Sequence, residues 1–117
     1  MNTKLAYRVV PLVAAALGLL SCNSSPGAAA DAPKPVTHTV TIEGMSFQPA
    51  MLTVKAGDSV VWVNKDWFPH TATSETGGFD SLEIPPDDSW TYTPKTKGEF
   101  PYVCTLHLTM KAKLRVE

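Results

Sequence analysis

From residue 36 to residue 117 the chain is a succession of short apolar-polar alternations broken by turn-forming residues. Alternation with a period of two marks a strand that buries one face and wets the other. Residues 36–43 alternate in this way, with Val36, Val40 and Ile42 on one side and three threonines on the other. Residues 51–56 and 59–64 read as two further strands on either side of Gly57-Asp58, a pair that suits a hairpin turn. Residues 71–74 make a short candidate strand before Gly77-Gly78, and 79–88, with Pro85-Pro86, read as an irregular crossing. Strands are expected again over 89–93 and 99–105, around a proline- and glycine-bounded turn, and over 111–116. No helical period runs through this region. Seven to eight short strands with frequent turns predict an all-β fold, a Greek-key β-sandwich or barrel.

The first thirty-five residues have a different texture. Lys4 and Arg8 precede an apolar run over 9–20, and Leu19-Leu20-Ser21-Cys22 follows. A basic start, a short apolar core and a small residue before the cut predict an export signal over 1–21, too short for a comfortable membrane span. The tetrapeptide resembles a bacterial lipoprotein box, which implies lipidation at Cys22; an ordinary secretory cut near residues 28–30 is the alternative. Residues 23–35 lack any apolar pattern and read as a flexible tether, with a reach of about 20 Å. The expected organisation is therefore signal 1–21, tether 22–35 with its lipid on Cys22, and one domain over 36–117. The protein is expected to be exported and lipid-anchored to a membrane facing the periplasm or cell exterior.

Charge and cysteine count narrow the function. The whole chain carries a formal charge of −1, and loss of Lys4 and Arg8 with the signal takes the remainder to −3. Without a basic excess, nucleic-acid binding is not expected. Only two cysteines exist, Cys22 and Cys104. A disulfide between them would consume the one thiol of the domain, whereas lipidation of Cys22 leaves Cys104 free for chemistry.

That chemistry lies near the C-terminus. Cys104, His107 and Met110 stand three positions apart, and His70 lies upstream in Trp67-Phe68-Pro69-His70-Thr71. Two imidazoles, a thiolate and a thioether form the donor set of blue-copper electron-transfer sites. Zinc is the other candidate for one Cys and two His, but thioether is not among its usual ligands. Donors three apart cannot converge from a straight strand. All three are therefore expected on a loop between strands 99–105 and 111–116. His38, just past the tether, is expected to face solvent and not a metal.

These residues resemble the copper loop of the cupredoxins, most closely the amicyanin, pseudoazurin and plastocyanin group. There a Cys-x-x-His loop carries three ligands and an upstream Pro-His supplies the fourth. Phe47-x-Pro49-x-x-Leu52-x-Val54-x-x-Gly57-Asp58-x-Val60-x-Trp62-x-Asn64 is similar to the early strands of the same family. The resemblance spans 36–117. It implies one type 1 copper ion on His70, Cys104, His107 and Met110, cycling between Cu(I) and Cu(II) in a monomeric electron carrier. His107 is then the exposed port to transient redox donor and acceptor proteins, framed by an apolar docking patch of Met45, Trp67, Phe68, Leu106 and Leu108. Acidic residues Asp80, Glu83, Asp87 and Asp88 and basic residues Lys95, Lys97, Lys111 and Lys113 would steer those partners.

Two positions depart from the family pattern. Thr71 replaces an asparagine that ties the ligand loops together, so a weaker or different tie is expected. Leu106 and Leu108 replace prolines around the loop histidine. A storage or delivery role for copper is the alternative function. Catalysis is disfavoured: copper oxidases and nitrite reductases need further histidines, commonly beside the cysteine, and here Val103 and Thr105 occupy those places.

Overall fold

The computed structural model describes residues 33–117; the expected signal, Cys22 and most of the tether lie outside the described residues. Eight strands follow one another: β1 (Thr37–Glu43), β2 (Ser46–Gln48), β3 (Met51–Val54), β4 (Ser59–Asn64), β5 (Thr73–Ser74), β6 (Ser89–Tyr92), β7 (Gly98–Cys104) and β8 (His107–Val116). They form two four-stranded sheets, ordered β2-β1-β4-β6 and β3-β8-β7-β5. No helix occurs among the described residues. The all-β expectation and the strand count are met.

Burial follows the alternation. Along β4, Val60, Trp62 and Asn64 are buried while Ser59, Val61 and Val63 are only partly covered. Val40 and Ile42 of β1 join them, and Tyr102, Cys104, Leu114 and Val116 come from the other sheet. Trp62 is the hub of this core. Its ring lies 5.4 Å from Trp90, 5.5 Å from Phe79 and 5.7 Å from Tyr102, the last edge-on. Such offset and edge-to-face contacts add to area burial. Burial raises the pKa of Tyr102 to about 12, tempered by the nearby Trp62 indole, so the phenol stays neutral. Neither the indole N–H nor the hydroxyl makes a hydrogen bond of good geometry.

One expected connection is wrong. Gly57-Asp58 does not close a hairpin: β3 pairs in parallel with β8, whereas β4 pairs with β1 and β6. The turn carries the chain from one sheet to the other. A turn-forming pair specifies a reversal but not which partner each strand then finds. A tight hairpin lies instead at Gly44-Met45, between β1 and the unforeseen short strand β2. Both residues have positive φ, 62° and 58°, the requirement of a two-residue turn matched to sheet twist.

Asp58 pins the crossover. Its carboxylate accepts hydrogen bonds from the N–H of Val36 (2.9 Å) and of Lys55 (3.1 Å), and lies 3.0 Å from His38 Nε2. His38 thus does not simply face solvent; it is half-buried on β1 with a carboxylate partner. The Val36 N–H above all, then the His38 and Lys55 bonds, lowers the Asp58 pKa from 3.8 to about 2. A depressed carboxylate pKa contributes stability above its unfolded value, and loses it as the pH falls through the folded one. Asp58→Asn is therefore expected to lower stability at neutral pH and to flatten the acid limb between about pH 4 and 2. Denaturant titrations across that range check this; parallel curves for the two proteins would refute it.

Candidate metal centre

Three connections meet at the end of the sandwich away from Asp58: the Gly44-Met45 turn, the segment 65–72 after β4, and the turn 105–106 between β7 and β8. Hydrogen bonds stitch them together. Asp66 accepts from the N–H of Gly44 (2.7 Å) and of Met45 (3.0 Å). Buried Asn64, at the end of β4, donates to the carbonyls of Phe68 (2.8 Å) and Ile84 (2.9 Å) and accepts from the N–H of Asp66 (2.9 Å). One amide side chain thereby shapes the whole segment that delivers His70. The His70 backbone is further fixed by a reciprocal pair with Ile84, at 3.2 and 2.7 Å.

His70 and Cys104 are fully buried; His107 is half-exposed. The Cys104 sulfur lies 3.6 Å from His70 Nδ1 and 3.8 Å from His107 Nδ1. One ligand atom from each of the three residues falls within 4.8 Å of the others, the one such group among the described residues. Metal–nitrogen distances of about 2.0–2.1 Å and metal–sulfur of about 2.3 Å, in a trigonal plane, put sulfur and nitrogen about 3.7 Å apart. The spacing therefore fits an ion at the centre, and the soft thiolate with two imidazoles fits copper.

The tautomer of His70 follows from its partner. Nε2 lies 2.8 Å from Asp66 Oδ2, and an ionised carboxylate only accepts, so Nε2 carries the proton and Nδ1 keeps its lone pair. Desolvation alone would push the Asp66 pKa up, but the N–H groups of Met45 and Gly44 and the His70 ring hold it below its ordinary value. Asp66 was not singled out in the sequence. Its signal, an acid four residues before the histidine, has meaning in a loop only once the loop's path is known.

The fourth expected donor sits elsewhere than foreseen. Met110 is buried, but it stands inside β8 and not on a loop; only Thr105 and Leu106 separate β7 from β8. A shift in register between Val103 and Cys104 turns the pair Cys104–His107 out of the regular ladder, which lets donors three apart converge from strand ends.

Thr71 supplies the tie that its identity put in doubt. Its N–H donates to the Cys104 sulfur (3.3 Å), and its hydroxyl accepts from the Thr105 N–H (2.9 Å). The same oxygen lies 3.1 Å from the Thr105 hydroxyl and 3.0 Å from that of Thr73. A hydroxyl in place of an amide thus joins both ligand segments. Around the centre, Met45, Trp67, Phe68, Leu106 and Leu108 are all exposed, Trp67 most of all at 92%.

Comparison with known proteins agrees with this geometry. The chain matches the model of the cupredoxin-like domain over residues 11–116. It is 34% identical over 100 residues to amicyanin of Paracoccus versutus, covering 81% of this chain and 75% of that protein. The crystal structure of that amicyanin superposes with a TM-score of 0.62 at 33% identity, over 76% of this chain and 88% of the other. Chloroplastic plastocyanin of Tetradesmus obliquus is 35% identical over 72 residues, 52% of this chain and half of its own length. The Cu-containing nitrite reductase of Thermus scotoductus SA-01 contains a similar fold, with TM-score 0.66 and 28% identity, over 73% of this chain but only 23% of that enzyme. Fold, donor triangle and sequence agree, and the chain belongs to the cupredoxin-like domain family.

Proposed function

We infer that this chain is an electron carrier built on one type 1 copper ion, with His70 Nδ1, Cys104 Sγ and His107 Nδ1 as the main donors and the Met110 sulfur as the fourth. The observation that carries the reading is the triangle of one thiolate and two imidazoles, closed at 3.6 and 3.8 Å on the sulfur. A bound copper ion supplies a one-electron couple. The protein's part is to hold the donors still. His70 is clamped by Asp66, Cys104 is anchored at the end of β7 and capped by the Thr71 N–H, and Thr71 fixes the turn before His107. Fixed donors leave little to rearrange when the ion changes charge, which suits transfer more than binding and release.

With Met110 as the fourth donor the ion would keep no open position for substrate, and Val103 and Thr105, not histidines, flank Cys104; the reading is a carrier and not an enzyme. His107 is the half-exposed ligand, and the patch of Met45, Trp67, Phe68, Leu106 and Leu108 around it is a contact surface for redox proteins. Small, weak interfaces of this kind suit brief encounters. Export and a lipid on Cys22, supported by the pattern of residues 1–22, would keep the carrier at a membrane outside the cytoplasm.

Redox cycling tests the reading. Copper-loaded protein is expected to pass repeatedly between coloured and colourless forms with mild oxidants and reductants, retaining one ion per chain. A colourless Cu(I) form that resists oxidation, or yields its ion readily to a chelator, would assign copper delivery instead. For the anchor, mass spectrometry of the mature N-terminus is expected to find a diacylglyceryl group on Cys22, and an unmodified start at another residue would remove that part.

A further inference from the structure

The Asp66 carboxylate has three N–H donors aimed at it, and only one belongs to a ligand. Gly44 N–H reaches Oδ1 at 2.7 Å, while Met45 N–H and His70 Nε2–H share Oδ2 at 3.0 and 2.8 Å. The Asp66 side chain is only 12% exposed. Three converging donors require a group that accepts on both arms. An asparagine cannot do so, because its –NH₂ would face an N–H whichever way it turned. The turn so held is a demanding one, since Met45 sits at φ 58°, a conformation that a side-chain-bearing residue rarely adopts. Asp66 therefore bridges the exposed Gly44-Met45 turn and the most deeply buried imidazole of the metal centre.

We propose that Asp66 is a positioning residue that sets the reduction potential: it locks His70 with Nδ1 towards the ion, and its negative charge favours the oxidised metal. The proposal rests on the copper-carrier reading above. An ionised partner on the far nitrogen of a ligand imidazole makes the near nitrogen a stronger donor, and outer partners of this sort are worth about 10–100-fold in metal affinity. A stronger donor and a nearby negative charge both stabilise Cu(II) over Cu(I). The carboxylate also makes the Gly44-Met45 turn and the His70 ring one mechanical unit, so pressure on the apolar patch at Met45 is felt at the ligand.

The test compares wild type with Asp66→Asn in two measurements. In copper-loaded protein, the variant is expected to keep its visible band but to shift the Cu(II)/Cu(I) ratio about tenfold towards Cu(I) at a fixed ambient potential. In metal-free protein, ¹⁵N NMR is expected to find His70 protonated on Nε2 in wild type and divided between tautomers in the variant. A residue that only holds the turn would lower thermal stability and leave ratio and tautomer unmoved, which would overturn the proposal. So would a wild-type His70 carrying its proton on Nδ1, even if the variant fails to fold. A wild type that develops no band with Cu(II) would sink the copper-carrier reading, and this proposal with it; a normal band with an unmoved ratio sinks this proposal alone.

Discussion

Cys104→Ser is expected to abolish the intense visible band that Cu(II) gives with the wild-type protein, while the fold survives. The band comes from charge transfer out of a thiolate, and Cys104 is the free thiol that lies between the two imidazoles. A serine oxygen has nearly the same shape but is a hard donor, poorly matched to copper in the presence of two imidazoles. Loss of a direct ligand should weaken binding by more than the about 10–100-fold that the loss of an outer partner costs. The fold has reason to persist, since the Thr71 N–H and the two rings offer the new hydroxyl hydrogen-bond partners in a site with no exposure. Absorption during a Cu(II) titration, with far-ultraviolet circular dichroism as the control, checks both halves. A band that survives the substitution would mean that the sulfur on copper is not Cys104.

The donor set was readable because its chemistry is carried by residue type and spacing. Cys104, His107 and Met110 at intervals of three, with an upstream histidine, restrict the choice of ion before any path is known. The strands were readable for a similar reason: Val40, Ile42, Val60 and Trp62 alternate with polar or less buried neighbours, and alternation is a local property. What escaped was pairing. Gly57-Asp58 looks like a hairpin, yet it joins two sheets, because the strand that β3 needs is β8, sixty residues further on. The hairpin at Gly44-Met45 went unnoticed because methionine at positive φ carries no turn signal of its own; the turn is held from outside by Asp66. Met110 was placed on a loop by the argument that a straight strand cannot bring such donors together. The register shift at Cys104 removes that premise. Thr71 and Asp66 share a further lesson. The bonds of Thr71 to Cys104 and Thr105, and of Asp66 to the Gly44-Met45 turn, cross twenty or more residues that no local pattern encodes, and the four-residue step from Asp66 to His70 has meaning only once the loop's path is known.

Leu108→Glu is expected to slow electron exchange about tenfold or more while leaving the visible spectrum and the reduction potential nearly unchanged. Leu108 follows His107 at the start of β8 and is 67% exposed, so its side chain covers surface beside the half-exposed ligand and not the ligands themselves. Two copies meeting through the patch of Met45, Trp67, Phe68, Leu106 and Leu108 would each bring the new carboxylate into an apolar contact. Removing that charge from water without a partner costs several kcal/mol even after relaxation, and each 1.4 kcal/mol is a factor of ten. The electron self-exchange rate, read from NMR line widths in mixtures of oxidised and reduced protein, measures this without a natural partner. Repulsion between distant charges would fade in high salt, where the Debye length shrinks to about 3 Å at 1 M. A desolvated carboxylate in a contact would not be rescued in that way. Leu108→Ala, which trims the patch without charging it, should slow exchange less. An unchanged rate with an intact spectrum would move the docking surface away from this patch, and a collapsed spectrum would mean that Leu108 supports the metal centre from within.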